Sequence, residues 1–177
     1  KVLIVLLGLV AAAAGLVAMQ PNDYRVTRSQ VIAASPGEVY AAVSDFHRWD
    51  SWSPWAKLDP NMKVTYEGSP AGTGAIYKWT GNSEAGEGMM TILESKPAEA
   101  VKIDLRFIKP FESAALTEFK LAPEGQGTKV DWTMSGDNNF LSKAMCLVMG
   151  GMDKMIGPDF EKGLTQMKST VEAAAKK

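Results

Sequence analysis

The sequence predicts an α+β domain in which a curved antiparallel sheet of about seven strands is wrapped on a long C-terminal helix. Between Met62 and Met134, successive segments alternate apolar and polar residues with a period of two. The connections between them are short and rich in Gly, Ser and Pro, as antiparallel neighbours require. Beyond Leu141 the period becomes helical: Met152, Ile156, Phe160, Leu164, Met167 and Val171 fall at steps of four, four, four, three and four. A twisted antiparallel sheet of this length tends to curl. Laying the helix across the concave face lets the inward residues of both share one interior.

The chain opens on an unbroken run of apolar or small residues from Val2 to Met19, preceded by Lys1 and stopped by Gln20-Pro21-Asn22-Asp23. At about 1.5 Å per residue such a run is just long enough to span a bilayer. Residues 1–20 are therefore expected to be a membrane anchor or signal segment. No convincing small-x-small cleavage site precedes Gln20, although Ala12 to Gly15 would serve one, so a retained anchor is preferred. Lys1 argues for an N-terminus inside, and Arg25 and Arg28 argue the reverse. The expected location is the inner membrane, with the periplasmic side favoured. A buried core helix is the plainer alternative, set against the lack of any polar face in the run.

Tyr24 to Ala33 reads as the first strand. Ser35-Pro36-Gly37-Glu38 is a helix start, with Ser as N-cap, Pro at the first helical position and Glu closing a capping box. Val39, Tyr40 and Val43 give that helix one apolar face. The segment Asp45 to Trp55 follows as a second short helix, ended by Ser53-Pro54; it holds Trp49, Trp52, Trp55 and the single histidine, His47. Then come Met62/Val64/Tyr66, Ala75/Tyr77/Trp79, Gly88 to Glu94, Val101/Ile103/Leu105/Phe107, Ala115/Thr117/Phe119/Leu121 and Val130/Trp132/Met134 as six further strands. Gly150-Gly151 and Gly157-Pro158 are expected to interrupt the C-terminal helix, with Pro158 restarting it to about Ala174. Lys176 and Lys177 complement the negative end of its dipole.

Composition excludes several classes. A net charge of −1 carries no basic stripe and argues against nucleic acid as a partner. One cysteine, Cys146, allows no intramolecular disulfide and, with one histidine, no structural zinc site. No metal and no other cofactor is expected. His47 has Asp45 and Asp50 nearby, but nothing else completes a triad and no G-x-S-x-G occurs, so it reads as a surface or capping residue. Glu118, Asp131 and Arg106 alternate with the apolar positions and are expected in solvent. The Gly-containing stretch from Gly81 to Gly88 lacks the Lys-Ser/Thr and helix of a phosphate loop.

At this point the order of elements resembles the START/Bet v 1-like helix-grip superfamily, and more closely its bacterial polyketide cyclase/dehydrase-type (SRPBCC) branch. The resemblance is carried by Ala34 to Tyr40, Asp45 to Trp55, Gly72 to Asn82, Gly127 to Trp132 and Asp159 to Leu164. It covers residues 24–177 and leaves out the apolar leader. It implies a helix-grip domain with an internal hydrophobic cavity, in a superfamily whose members bind lipids, sterols, polyketides and hormones and only some of which are enzymes. The expected ligand-binding residues are Trp55, Tyr77, Trp79, Met90, Ile92, Leu105, Phe107, Phe119 and Trp132, facing Met152, Ile156 and Phe160. Their plainer reading is ordinary core packing. Trp49 and Trp52 are read as a structural plug. The preferred function is non-enzymatic binding or carriage of a hydrophobic small molecule or lipid by a membrane-tethered protein. The alternatives are a polyketide cyclase/dehydratase-like enzyme using Tyr77, His47 and Asp45, and a protein-interaction scaffold with a collapsed cavity.

Overall fold

In the computed structural model the alternating segments become a seven-stranded antiparallel sheet in the order β1-β7-β6-β5-β4-β3-β2. The strands are β1 (Asp23–Ile32), β2 (Lys63–Gly68), β3 (Ala75–Thr80), β4 (Glu87–Lys96), β5 (Ala100–Lys109), β6 (Ser113–Glu124) and β7 (Gly127–Asp137). The helices are α1 (Val2–Ala18), α2 (Pro36–Ser44), a 3-10 helix (Phe46–Ser51), α3 (Phe140–Met149) and α4 (Met152–Ala175). The structure describes residues 2–176. The charges assigned from sequence to Lys1 and Lys177 lie outside the described residues. Strands β2 to β7 form a meander, and β1 returns to pair with β7. This is the helix-grip α+β arrangement expected from the two periodicities.

The helix starts follow local chemistry. Ser35 caps α2, its Oγ accepting from the Glu38 N–H while the Glu38 carboxylate accepts from the Ser35 N–H at 2.8 Å. The Ser35 hydroxyl, which also donates to the Glu38 carboxylate at 2.7 Å, and then the Ser35 N–H hold that carboxyl below its usual pKa. At the other end of α2, carbonyls that no further turn can use are taken by tryptophans. Trp49 Nε1 donates to Val43 O at 3.2 Å and Trp52 Nε1 to Ala42 O at 3.0 Å. Ser44 O receives the Gly72 N–H at 2.8 Å. The three-residue spacing of Trp49 and Trp52 places both on one side of the 3-10 helix, with ring centroids 4.7 Å apart. Both are buried, together with Phe46.

Gly150 and Gly151, with φ of 83° and 103°, end α3 and separate it from α4. That break was expected; the one at Gly157-Pro158 does not occur. Pro158 lies inside α4, which runs on without interruption to Ala175. The reason is across the gap. Arg28 of β1 lies so close that a Cβ on Gly157 would stand 2.2 Å from its Nη2, and its guanidinium pairs with Asp153 before the proline and Glu161 after it. The pairing bridges the turns on either side of the proline. Further along, Lys168 Nζ donates to Val31 O at 2.8 Å and Glu172 accepts from the Ala33 N–H at 2.7 Å.

The membrane-anchored location inferred from residues 1–20 is corrected. The helical part of the run, Val2–Ala18, has 17 residues, about 26 Å at 1.5 Å per residue against a hydrocarbon core of about 30 Å. No helix among the described residues is long and apolar enough to cross a membrane. Leu6, Leu7, Leu9, Val10 and Leu16 of α1 are exposed, and Val17 is buried.

Trp52→Phe tests the indole cap. It leaves the Ala42 carbonyl buried without its donor and trims a fully buried ring, so urea unfolding is expected to show a loss of about 2–4 kcal/mol.

Candidate functional site: the interior between sheet and helix

Alternation along each strand sends one set of side chains under α4. At one end α2 and the 3-10 helix seal the interior, and Val39, Val43, Phe46, Val101 and Phe119 are all but inaccessible to solvent. The middle is an aromatic stack. Trp132 of β7 lies against Phe160 of α4 with centroids 4.1 Å apart and planes 9° from parallel. It also stacks at 4.9 Å on Phe119, its cross-strand partner on β6. Trp52 and Trp55 meet the same indole edge-on at 5.7 Å and 5.6 Å. Gly163 lets the helix come down on this stack, since a Cβ there would lie 2.8 Å from Trp132 Cζ3. Gly88 does the same for Trp79, whose ring atoms would be 2.4 Å from an added Cβ.

Toward the opposite end the packing loosens. Trp55, Trp79, Met152 and Ile156 are half-buried, and Phe107 is 37% exposed. Of the residues expected to line a ligand site, Tyr77, Met90, Ile92, Leu105, Phe119, Trp132 and Phe160 belong to one buried core cluster, and Trp55, Trp79 and Ile156 pack half-buried against it. Phe107 meets Trp79 edge-on at 6.0 Å and is exposed, and Met152 is half-buried. Two surface depressions lie away from them. One of about 440 Å³ is bordered by Tyr24, Asp104, Ala115 and Gly136. The other, about 600 Å³, lies between α2 and the end of α4, beside Glu38, Arg48 and Thr170.

The titratable groups near the interior divide by solvent access. Burial, then the charge of Asp50, pushes the Tyr77 phenol well above its ordinary range, so it remains protonated and can donate a hydrogen bond. Tyr66, against Tyr77 with centroids at 5.6 Å, is raised by the same causes. His47 stacks on Tyr66 at 4.0 Å, with Nδ1 3.0 Å from Asp45 Oδ1, and is half-exposed. Among the described residues no hydrogen bond joins His47 to Tyr77, and no three His, Cys, Asp or Glu side chains converge as metal ligands would. Glu118 and Asp131 pair with Lys120 and Lys129 on the outer side of the sheet.

Two inner-face residues were missed from sequence. Arg28 belongs to the inward register of β1 with Val26 and Ile32, and its bonds to Asp153 at 2.8 Å and Glu161 at 2.7 Å fasten α4 over the interior. Thr117 shares the inward register of β6 with Ala115 and Phe119. A polar residue on the apolar register of its own strand was the available signal for both.

Comparisons with known proteins agree with this architecture. The family model described as polyketide cyclase / dehydrase and lipid transport matches residues 23–172. No curated protein matches the chain in sequence. Among solved structures, CV1439 from Chromobacterium violaceum is 20% identical, with 86% of this chain and 99% of that one covered and a TM-score of 0.56. MLL2253 from Mesorhizobium loti is 19% identical, with 83% and 98% covered and a TM-score of 0.59. DynU16, of the dynemicin biosynthetic locus, is 14% identical over 85% of this chain and 48% of its own, with a TM-score of 0.56. At these identities the likeness is one of fold.

Asp153→Asn tests the Arg28 clamp. Arg28 holds the Asp153 carboxyl below its usual pKa, so the pair contributes fully above the unfolded value near about 3.9 and is lost as pH falls through the lower folded value. The variant is expected to lose stability at pH 7 and to show a shallower decline in urea midpoint below about pH 4 than the parent.

Proposed function

This chain belongs to the polyketide cyclase / dehydrase and lipid transport family, and on that premise we propose that residues 24–177 bind a hydrophobic small molecule between the sheet and α4. The observation that carries this is the gradient of packing along one continuous apolar surface. Trp49, Trp52 and Phe119 are buried, Trp55, Trp79 and Ile156 are half-buried against the same core, and Phe107 beside Trp79 is exposed, which supports entry of a ligand at these last residues, the rim. A flat or elongated apolar molecule entering from the rim would cover these side chains and extend the aromatic stack that begins at Trp132 and Phe160. Burial of that surface supplies affinity at about 25 cal/mol per Å² before the cost of ordering the ligand. Met152 and Met155 border the rim from α4 and suit ligands of varied shape, because thioether chains repack readily.

A cyclase-like role is the second reading, and Tyr77 is the observation that favours it. Its phenol sits on the inward register of β3 beside Ala75, and a protonated phenol there can polarise a carbonyl of a bound substrate. In that case Tyr77→Phe abolishes turnover while leaving binding intact.

N-phenyl-1-naphthylamine, which fluoresces in apolar surroundings, tests the binding proposal. The parent is expected to bind it saturably, with Ile156→Trp, which fills the rim, weakening binding about tenfold or more at an unchanged thermal midpoint. Equal binding by the two proteins would place the site elsewhere.

A further inference from the structure

Two polar atoms on the largely apolar inner face lack a partner. Thr117 Oγ1 and Trp132 Nε1 are both out of reach of solvent and make no hydrogen bond; their residues are 3% and 1% exposed. Buried polar groups are nearly always satisfied, so such orphans call for an explanation. These two belong together. Trp132 pairs with Phe119 and Met134 with Thr117 in the β6–β7 ladder, so Thr117 and Trp132 are diagonal neighbours on one face of the sheet, about 7–8 Å apart at that spacing. In the ladders Thr117 faces Ile103 and Met134, and Trp132 faces Phe119 and Arg28; the first three are apolar and the Arg28 guanidinium, which only donates, cannot accept from the indole N–H.

The chemistry of the pair is asymmetric. An indole N–H only donates, whereas a threonine hydroxyl donates or accepts. The group satisfying both is an acceptor oxygen, and a carbonyl, with two lone pairs, meets both donors without bringing a hydrogen of its own. A lone structural water would form only two bonds here, at the lower limit for a buried one. Resting on the reading that the interior takes a hydrophobic molecule, we propose that Thr117 and Trp132 are its polar anchor. The ligand is an apolar carbonyl compound, entering oxygen first so that its hydrocarbon body lies toward Trp79 and Phe107 at the rim.

The experiment compares 9-fluorenone with fluorene, which share a ring system and differ in the carbonyl oxygen, by calorimetric titration of the full chain. The parent is expected to prefer the ketone about tenfold. Thr117→Val, which keeps the shape and removes the hydroxyl, is expected to reduce that preference to about threefold or less by weakening fluorenone alone. Thr117→Ser is expected to restore it. Because Thr117→Val swaps an unsatisfied buried hydroxyl for a methyl, it is also expected to leave the urea midpoint unchanged or raised. Equal affinity of the parent for both compounds, or a preference that Thr117→Val leaves intact, overturns the anchor and leaves hydrophobic binding standing. Binding of neither compound overturns both.

Discussion

The structure depends on how the last turn of α2 is satisfied. A helix of nine residues leaves a large share of its carbonyls without partners, and here they are buried where water cannot reach. Trp49 and Trp52 resolve this with the same side chains that fill the sealed end of the interior. Each indole gives its one N–H to α2 and its ring to the core, so chain direction after α2, closure of the sheet and core packing become one cooperative event. The three tryptophans differ accordingly: Trp49 and Trp52 are committed to α2, while Trp55, half-buried against Trp132 and Phe160, has no bond of that kind.

The second constraint is the closeness of helix to sheet. Glycine at positions 157 and 163 of α4 marks where a guanidinium or a ring from the sheet occupies the space of a Cβ. At Gly163 it lets α4 rest on Trp132, and at Gly157 it lets Arg28 reach the carboxylates on either side of Pro158. The middle of the interior is consequently close-packed around aromatic rings, with aliphatic side chains on either side.

Much of this was legible in the sequence because it is local. The Ser35 capping box, the strand register and the break at Gly150-Gly151 depend on residues adjacent in the chain. The missed features depend on residues far apart. Pro158 reads as a helix stop until Arg28, more than a hundred residues earlier, is seen bridging Asp153 and Glu161. Thr117 looks like an ordinary strand residue until its neighbours prove unable to hydrogen-bond with it. The apolar run at Val2 suggested a membrane span on composition, and the length of helix it forms decided otherwise. Most of the residues named from register, Tyr77, Met90, Ile92, Leu105, Phe119, Trp132 and Phe160, lie in one core cluster. Which of them pack permanently and which stand at the rim depends on how α4 tilts over the sheet, and no periodicity encodes that.

Strand β1 pairs with β7 on one side only, and the free flank of a ten-residue strand is a template for any other chain with unpaired backbone. The bonds of Lys168 to Val31 O and of Glu172 to the Ala33 N–H occupy the C-terminal end of that flank with side chains from α4. The opposite flank is β2, only six residues long and carrying charged Lys63 and Glu67, a poor site for strand addition. The long helix thus has a task apart from roofing the interior. It occupies two backbone groups at the C-terminal end of the β1 flank, which blunts that end of the edge against strand addition.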